Sequence, residues 1–419
     1  MSSVLKESLD ESLHSIVCRS CQGTSLRRFL DLGDSPIADG LVSESRLAER
    51  DDRYPLEVAI CPDCSLVQIL ETVPPEVLFC QDYPYFASFS DSWLEHNRKN
   101  ALELIERHKL GKDSHVVEIA SNDGYLLKNF AQQGIPVLGI DPAEGPAEAA
   151  EKVGVPTMCT FFNTDLATQL RNEGRQADII LGNNVLAHVA DTVGFVDGLK
   201  ELLKPSGEIV IEVPYVRDLI EHSEFDTIYH QHLCYFSVTS LDALFRSRGL
   251  YLNEVRRLKS HGGSLRLFIN HDERPTESVK QLLREEQQLG VDSFEYYENF
   301  GRQVQRIGTE LRDLLEKLKA EGKTVVGYGA AAKACTLLNY AGIGTDLLDY
   351  VVDRNVHKHG RYMPGVRQPI KPMEEVLNQQ PDYVLLLVWN LAEEILAAQQ
   401  EYRDRGGKFI IPIPSLRVV

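Results

Sequence analysis

The run from Asp226 to Ser237 reads Asp-Thr-Ile-Tyr-His-Gln-His-Leu-Cys-Tyr-Phe-Ser. It gathers two imidazoles (His230 and His232), two phenols (Tyr229 and Tyr235) and the Gln231 amide in one short stretch. In a loop or short strand beside a cofactor, these are proton-transfer and carbonyl-binding groups. An imidazole that titrates near neutrality suits the removal of a weakly acidic proton. Tyr hydroxyls and His N–H groups then suit the oxygen on which charge develops. Upstream, Asp82-Tyr83-Pro84-Tyr85-Phe86-Ala87-Ser88-Phe89-Ser90 adds further phenols and hydroxyls. A single histidine is more often a hydrogen-bonded structural imidazole; two with two tyrosines weigh against that reading.

A second constellation is Cys18-Arg-Ser-Cys21 with Cys61-Pro-Asp-Cys64. Each CxxC knuckle offers two thiolates to one tetrahedral ion, and two knuckles complete a four-sulfur shell. Soft thiolates favour zinc, and four of them leave no open position for water, so the expected role is structural. A thioredoxin-like redox pair needs one CxxC in a strand–helix–strand context, which is missing here. The stretch between the knuckles, from Leu30 to Pro36 onward, reads as irregular with little to bury, so metal would supply much of its folding energy.

The elements that would position a cofactor lie in the middle of the chain. His115–Ala120 reads as a short buried strand, Ser121-Asn122-Asp123-Gly124 as a turn, and Tyr125–Phe130 as the opening of a helix. Ile135–Ile140 is a second strand, ending in Asp141. Glycine lets the backbone approach a ligand closely, and an acid at the end of the second strand can accept from both ribose hydroxyls. One glycine in the turn, in place of three, disfavours a pyrophosphate cradle. A ligand with a ribose and no phosphates fits better, and S-adenosylmethionine (SAM) is the common one; another nucleotide binder of the α/β class is the alternative. A third strand is expected before Phe161, a fourth at Ala177–Gly182 leading into Asn183-Asn184-Val-Leu-Ala-His188, and Lys204–Gly207 as a turn into the strand Glu208–Pro214.

Helical periodicity rich in Glu, Gln, Lys and Arg runs from about Arg274 to Glu321. The glycines of His261-Gly262-Gly263-Ser264-Leu-Arg266 suggest close backbone approach, to a sugar among other things. Lys323–Tyr328 is a strand, Gly329–Lys333 a small-residue turn and Ala334–Tyr340 a helix, a geometry that holds phosphate on backbone N–H groups with Lys333 beside it. Leu347–Val352, ending in Asp353, is the next strand, with Asp382–Val388 and Lys408–Pro412 later. Gly327, Gly329 and Ala332 also satisfy G-x-G-x-x-G/A, so a nicotinamide site, a substrate-pyrophosphate site and a purely structural unit all stay open.

Composition bounds these readings. A length of 419 residues suggests two to four domains, and 43% hydrophobic with 25% charged residues is a soluble globular profile. Net charge is −18 (44 Lys and Arg against 62 Asp and Glu), with no basic run, which disfavours nucleic acid as a partner. No apolar run reaches membrane-spanning length; the longest, Tyr383–Trp389, is strand-sized. The polar, acidic start is neither a secretory signal nor a transit peptide, so a cytoplasmic protein without a membrane partner is expected. Eight cysteines are too few for a disulfide scaffold. The sequence is silent on oligomeric state, and a monomer is compatible with it.

Taken in order, the four-cysteine knuckles, Glu118-Ile-Ala-Ser-Asn-Asp-Gly124, Asn184-xxx-His188, Tyr229-His-x-His232-xx-Tyr-Phe-Ser237 and Gly327-Tyr-Gly-Ala-Ala-Ala-Lys333 resemble the sugar C-methyltransferases over nearly the whole chain. Those enzymes place a branch methyl on nucleotide-linked deoxy-keto-sugars for antibiotics and surface polysaccharides. The resemblance implies an α/β enzyme in three parts: an N-terminal zinc-binding domain (1–80), a class I SAM methyltransferase (Rossmann-like) domain (81–255) and a C-terminal Rossmann-like domain (256–419). The sugar nucleotide would lie between the last two. It implies His232 as base, supported by Tyr83, His188, Tyr229 and Gln231. Glu118, Ala120, Asn122, Asp123, Gly124, Asp141, Asn183 and Asn184 would bind SAM. Tyr85, His230, Ser264, Tyr328, Ala330 and Lys333 would bind substrate, and Cys18, Cys21, Cys61 and Cys64 would bind Zn2+. The family commonly has Glu before the second histidine; this chain has Gln231, and Gln takes no proton. The reading carried forward is SAM-dependent C-methylation of a nucleotide-linked 4-keto-deoxyhexose, with O- or N-methylation, a catalytically silent binding protein and an NAD-dependent sugar-nucleotide enzyme as alternatives.

Overall fold

The structure, a computed structural model, describes residues 16–79 and 86–419. In the N-terminal part, β1 (Arg27–Pro36) pairs antiparallel with β2 (Arg53–Ile60), and β2 with β3 (Val67–Ile69). The stretch expected to be irregular is therefore a strand. Its Gly and Pro residues are absorbed by register shifts at Arg28/Leu30 and Asp31/Asp34, which re-aim the strand without ending it. It also has much to bury: Leu30, Leu32, Leu56, Val58, Ile60, Val67 and Ile69 are all core residues.

The middle sheet holds β4 (Val116–Ile119), β5 (Val137–Asp141), β6 (Thr157–Cys159), β7 (Ala177–Asn183) and β8 (Leu203–Pro214), all parallel. The strand Cys234–Tyr235 (β9) leaves this domain to pair with β3 of the N-terminal sheet. β10 (Tyr251–Leu258) and β11 (Ser264–Asn270) then add antiparallel to β8, giving the order β10-β11-β8-β7-β4-β5-β6. The sheet thus continues past residue 255 to Asn270. From β4 the chain runs outward through β5 and β6, then returns to the other side with β7. The carboxyl ends of β4 and β7 are the switch point where such sheets bind ligands.

Two local expectations differ. Lys204–Gly207 belongs to β8 as a bulge, because Leu203 pairs with Ala177 and Glu208 already pairs with Ile179. The helix expected from Tyr125 starts at Lys128, because Tyr125, Leu126 and Leu127 are buried in turns that extend the cofactor loop.

The C-terminal part opens with the helices Glu277–Leu289, Phe294–Glu298 and Phe300–Ala320; Gly290, left-handed at φ 72°, ends the first. Its sheet comprises β12 (Val325–Tyr328), β13 (Val351–Val352), β14 (Ile370–Lys371), β15 (Tyr383–Leu386), β16 (Lys408–Ile411) and β17 (Arg417–Val418), in the order β14-β13-β12-β15-β16-β17. All are parallel except β17. β13 is shorter than Leu347–Val352 because Leu347 and Leu348 form buried turns before it. One hydrophobic core runs from Leu30 and Ile69 through Ile119 and Phe236 to Val325 and Ile410; a second fills the other face of the middle sheet around Trp93, Phe130 and Phe268. No helix among the described residues is long and apolar enough to cross a membrane.

Candidate active site

The two cysteine knuckles lie before β1 and between β2 and β3. Each is closed by a backbone bond, Gln22 N–H to Cys18 O (2.9 Å) and Ser65 N–H to Cys61 O (2.8 Å). Gln22 (φ 63°) and Ser65 (φ 61°) take the left-handed conformation that wraps the chain around the sulfurs. All four sulfurs lie within 4.8 Å of one another, with Cys18–Cys64 and Cys21–Cys61 at 3.5 Å. A tetrahedral zinc with Zn–S near 2.3 Å places sulfurs about 3.8 Å apart, so the donor set fits that ion. Arg19 locks the first knuckle to the sheet, its backbone N–H on Gln68 Oε1 (2.8 Å) and its guanidinium on Ile69 O, Glu71 O and Thr72 Oγ1.

The turn after β4 curls tightly, with Ala120 (φ 57°), Asn122 (φ 49°) and Gly124 (φ 76°) all left-handed. Asp141 closes it from β5: Oδ2 accepts the Asn122 N–H (2.8 Å) and Oδ1 the Ala143 N–H (2.9 Å). Each oxygen keeps a second lone pair for a ribose hydroxyl. Burial raises the Asp141 carboxyl, and it raises the fully buried Glu118 well above the carboxylate range, with Tyr125 opposing. Ala87 N–H reaches Asn122 Oδ1 (2.9 Å) and Ser88 N–H reaches Asp123 Oδ2 (3.0 Å), laying the segment before the first helix over the turn. Ser121 Oγ, Asp123 Oδ1 and Asn183 Oδ1 are buried without a hydrogen-bond partner among the described residues. Such atoms at a switch point are what a polar ligand such as SAM would satisfy. Asn184, left-handed at φ 54°, follows Asn183, and its N–H bonds Glu212 O (2.8 Å).

Helix Asp91–His108 supplies residues that the sequence reading missed. Asn97 accepts from the Asn183 amide (2.8 Å) and donates to Trp93 O (2.8 Å). His96 Nε2 lies 3.0 Å from both oxygens of Glu212, which also takes Arg266 Nε (2.7 Å). Burial alone would raise Glu212; His96 and Arg266 overturn that and hold it below its ordinary range. A Glu inside the apolar strand Glu-Ile-Val-Ile-Glu-Val and an Arg inside Ser-Leu-Arg-Leu-Phe-Ile were the available signal, since buried charges need partners.

The candidate catalytic loop runs from the turn Phe225–Thr227 to β9. His232 Nδ1 lies 2.8 Å from Thr227 O and Nε2 lies 2.8 Å from the Tyr229 hydroxyl. A carbonyl only accepts, so Nδ1 carries the proton and the basic lone pair is on Nε2. His188, at the end of the turn Leu186–His188, lies 4.9 Å from the His232 ring, with Nδ1 on Gln231 O at 2.5 Å. Burial lowers His188 to about 4, against the pull of the Gln231 and Asn184 backbone groups. The structure therefore brings Tyr229, Gln231, His232 and His188 together. Tyr83 and Tyr85 lie outside the described residues.

Other sequence candidates are placed elsewhere. His230 faces the N-terminal sheet, with Nε2 on Pro55 O (3.2 Å) and its ring edge-on to Tyr54. These contacts set His230 against the N-terminal domain. The Ser264 hydroxyl donates to Ser260 O (3.0 Å), and the Tyr328 hydroxyl faces Met373 Sδ (3.6 Å). Gly262 and Gly263 make room for carboxylates of the chain itself: a Cβ on Gly262 would stand 2.5 Å from Glu224 Oε2, and one on Gly263 would collide with Asp218. Ala330 N–H is taken by Asp353 Oδ2 (2.8 Å), whose other oxygen accepts Asn355 N–H (2.8 Å). Lys358 Nζ crosses that turn to Ala330 O (2.8 Å). Lys333 Nζ bonds Asn390 Oδ1 (2.7 Å) above the Trp389 ring, and the Trp389 indole N–H bonds Asp226 Oδ2 (2.7 Å). Burial lowers Lys333 while Asp226 and Glu224 oppose; burial also raises Glu224 to about 8 and Asp226 to about 6.

Three family descriptions match in sequence order: a zinc binding domain over residues 18–79, a methyltransferase domain over 93–255 and a C-methyltransferase C-terminal domain over 259–414. The chain is 36% identical to C-methyltransferase NovU of Streptomyces niveus, over 96% of both chains. A ubiquinone biosynthesis O-methyltransferase of Bartonella tribocorum is 32% identical over 22% of this chain and 38% of its own. Among solved structures, the magnesium protoporphyrin IX methyltransferase of Synechocystis PCC 6803 with bound SAM is 14% identical, with a TM-score of 0.34 over 43% of this chain and 79% of that one. Three matched domains in one order and similarity along the full length place the chain in the C-methyltransferase family, as a SAM-dependent C-methyltransferase with a four-cysteine zinc site.

Proposed function

We propose that the enzyme adds a branch methyl to a nucleotide-linked 4-keto-deoxyhexose, at the carbon beside the ketone (C-3), through an enolate. The observation that carries this reading is the Tyr229–His232 pair, whose backbone anchor at Thr227 leaves the lone pair of a neutral imidazole on Nε2. Bound SAM supplies a sulfonium methyl, which alkylates carbon once that carbon is electron-rich. The chain's task is to create the carbanion and hold it in line. His232 Nε2 takes the proton alpha to the ketone. An Nε2 that now holds a proton donates to the Tyr229 oxygen, which frees the phenol hydrogen for the new enolate oxygen. The donor becomes available as the charge appears. His188, kept neutral by burial, adds no competing positive charge beside the imidazolium. The half-buried Lys333 and Lys358 flank the C-terminal turn and suit a substrate pyrophosphate.

The test is mass spectrometry after incubation with methyl-labelled SAM and a panel of dTDP-, GDP- and CDP-linked 4-keto-6-deoxyhexoses in deuterated water. Label on a sugar carbon with deuterium exchange beside the ketone is the expected result. Label on oxygen or nitrogen without exchange would replace this reading with O- or N-methylation.

A further inference from the structure

Gln231 stands between the two histidines of the site. Its carbonyl accepts from His188, and its side chain reaches toward the N-terminal domain, where Nε2 meets Asp39 Oδ2 at 3.4 Å. Gln231 Oε1 is buried without a partner among the described residues. Asp39 lies just past the end of β1, in a turn closed by Gly40 N–H to Ile37 O (3.0 Å) and Leu41 N–H to Asp39 O (2.8 Å). Val42 then pairs backbone to backbone with Tyr362 of the C-terminal domain, 2.9 Å and 2.8 Å in the two directions. The turn is clamped at both ends where the three parts of the molecule meet.

A carboxyl in this position is unfavourable for folding alone. Burial raises it, with Lys358 only partly opposing, and an amide 3.4 Å away is a weak partner. Asp39 nonetheless remains half-buried and is not sealed in the core. A deep carboxyl that still reaches solvent, beside a catalytic loop, is typical of groups kept for a ligand.

We propose that Asp39, delivered by the N-terminal domain, is the carboxylate of the active site: Oδ2 anchors the Gln231 amide and Oδ1 accepts a hydrogen bond from a hydroxyl of the sugar. In the Asp39–Gln231 pair the acid comes from the N-terminal domain and the amide from the loop that carries His232. The zinc-held domain thereby completes the site. This rests on the reading of the substrate as a hydroxyl-bearing keto-sugar.

The test compares wild type, Asp39→Asn, Gln231→Glu and the double variant on the keto-sugar that the wild type methylates, with zinc content and SAM affinity followed in each. Asp39→Asn is expected to lower kcat/KM by ~10- to 100-fold, the loss of one charged hydrogen bond, with zinc and SAM binding kept. The double variant returns a carboxylate on the other side of the pair and is expected to recover most of that loss, which a merely structural role for Asp39 would not allow. An Asp39→Asn enzyme as active as wild type, or a double variant no better than Asp39→Asn, would overturn the assignment alone. A wild type inactive on every keto-sugar would overturn the proposed reaction together with it.

Discussion

Thr227 O fixes the proton of His232 on Nδ1, and Gln231 O fixes that of His188 in the same way. Two histidines in contact thus differ in role because of what their other atoms touch. His232 Nε2 meets a phenol, whereas His188 Nδ1 meets a backbone carbonyl and burial lowers its ring to about 4. Tyr229→Phe should lower kcat by ~10²-fold or more, and His232→Asn should abolish turnover; titration calorimetry should show SAM affinity unchanged in both. A Tyr229→Phe enzyme with full kcat would remove the phenol from the proposed proton path. His188 also sets a pH dependence. Its value falls from an ordinary 6.5 to about 4 in the folded chain, so between these the unfolded chain binds more protons. Stability is lost as pH falls through that window. His188→Gln should flatten the decline of Tm between pH 6.5 and 4; an unchanged slope would mean that the ring is not buried as described.

At the scale of elements, the cysteine knuckles and the proposed catalytic loop share one sheet, since β9 begins two residues after His232 and pairs with β3. β3 in turn begins just after Cys64. Cys61→Ser should therefore lose zinc and also weaken catalysis, because the strand that anchors the loop loses its frame. The apolar faces of β1, β2 and β3 still pack into the common core, so the domain should be destabilised without complete unfolding. Zinc by atomic absorption, Tm by calorimetry and SAM affinity by titration would check this. The expectation is no zinc, a lower Tm, reduced turnover and SAM binding retained. Full zinc occupancy would eliminate the four-cysteine site.

Across the whole molecule, the three parts are joined by more than chain connectivity. The core is continuous from the N-terminal to the C-terminal sheet, and specific bonds cross between parts: Trp389 to Asp226, Thr336 Oγ1 to Ile228 O (2.9 Å) and Arg367 to Asp51. Calorimetry should accordingly show one cooperative transition and not a separate one for each part. Trp389→Phe removes the indole hydrogen bond to the buried Asp226 side chain and should cost about 1–3 kcal/mol of that single transition. A well-separated second transition would show that the interfaces are weaker than this packing implies.

The sequence by itself determined the chemistry of the parts. Four thiols in two knuckles suit a metal of soft preference, a strand–turn–strand ending in Asp141 suits a ribose-bearing ligand, and clustered imidazoles and phenols suit proton transfer. These are local properties, set by residue type and short spacing. What only the tertiary structure decided was orientation and partnership over long separations. His230 and His232 are two residues apart, yet one contacts Pro55 and the other faces Tyr229. Gly262 and Gly263 accommodate the Glu224 and Asp218 carboxylates of the chain itself. Lys333 meets Asn390 and Trp389, and Gln231 meets Asp39 from near the other end of the chain. Such pairings follow from strand register and from the switch of β9 into the N-terminal sheet. No local pattern encodes them, because burial and hydrogen-bond satisfaction are settled only when distant elements pack.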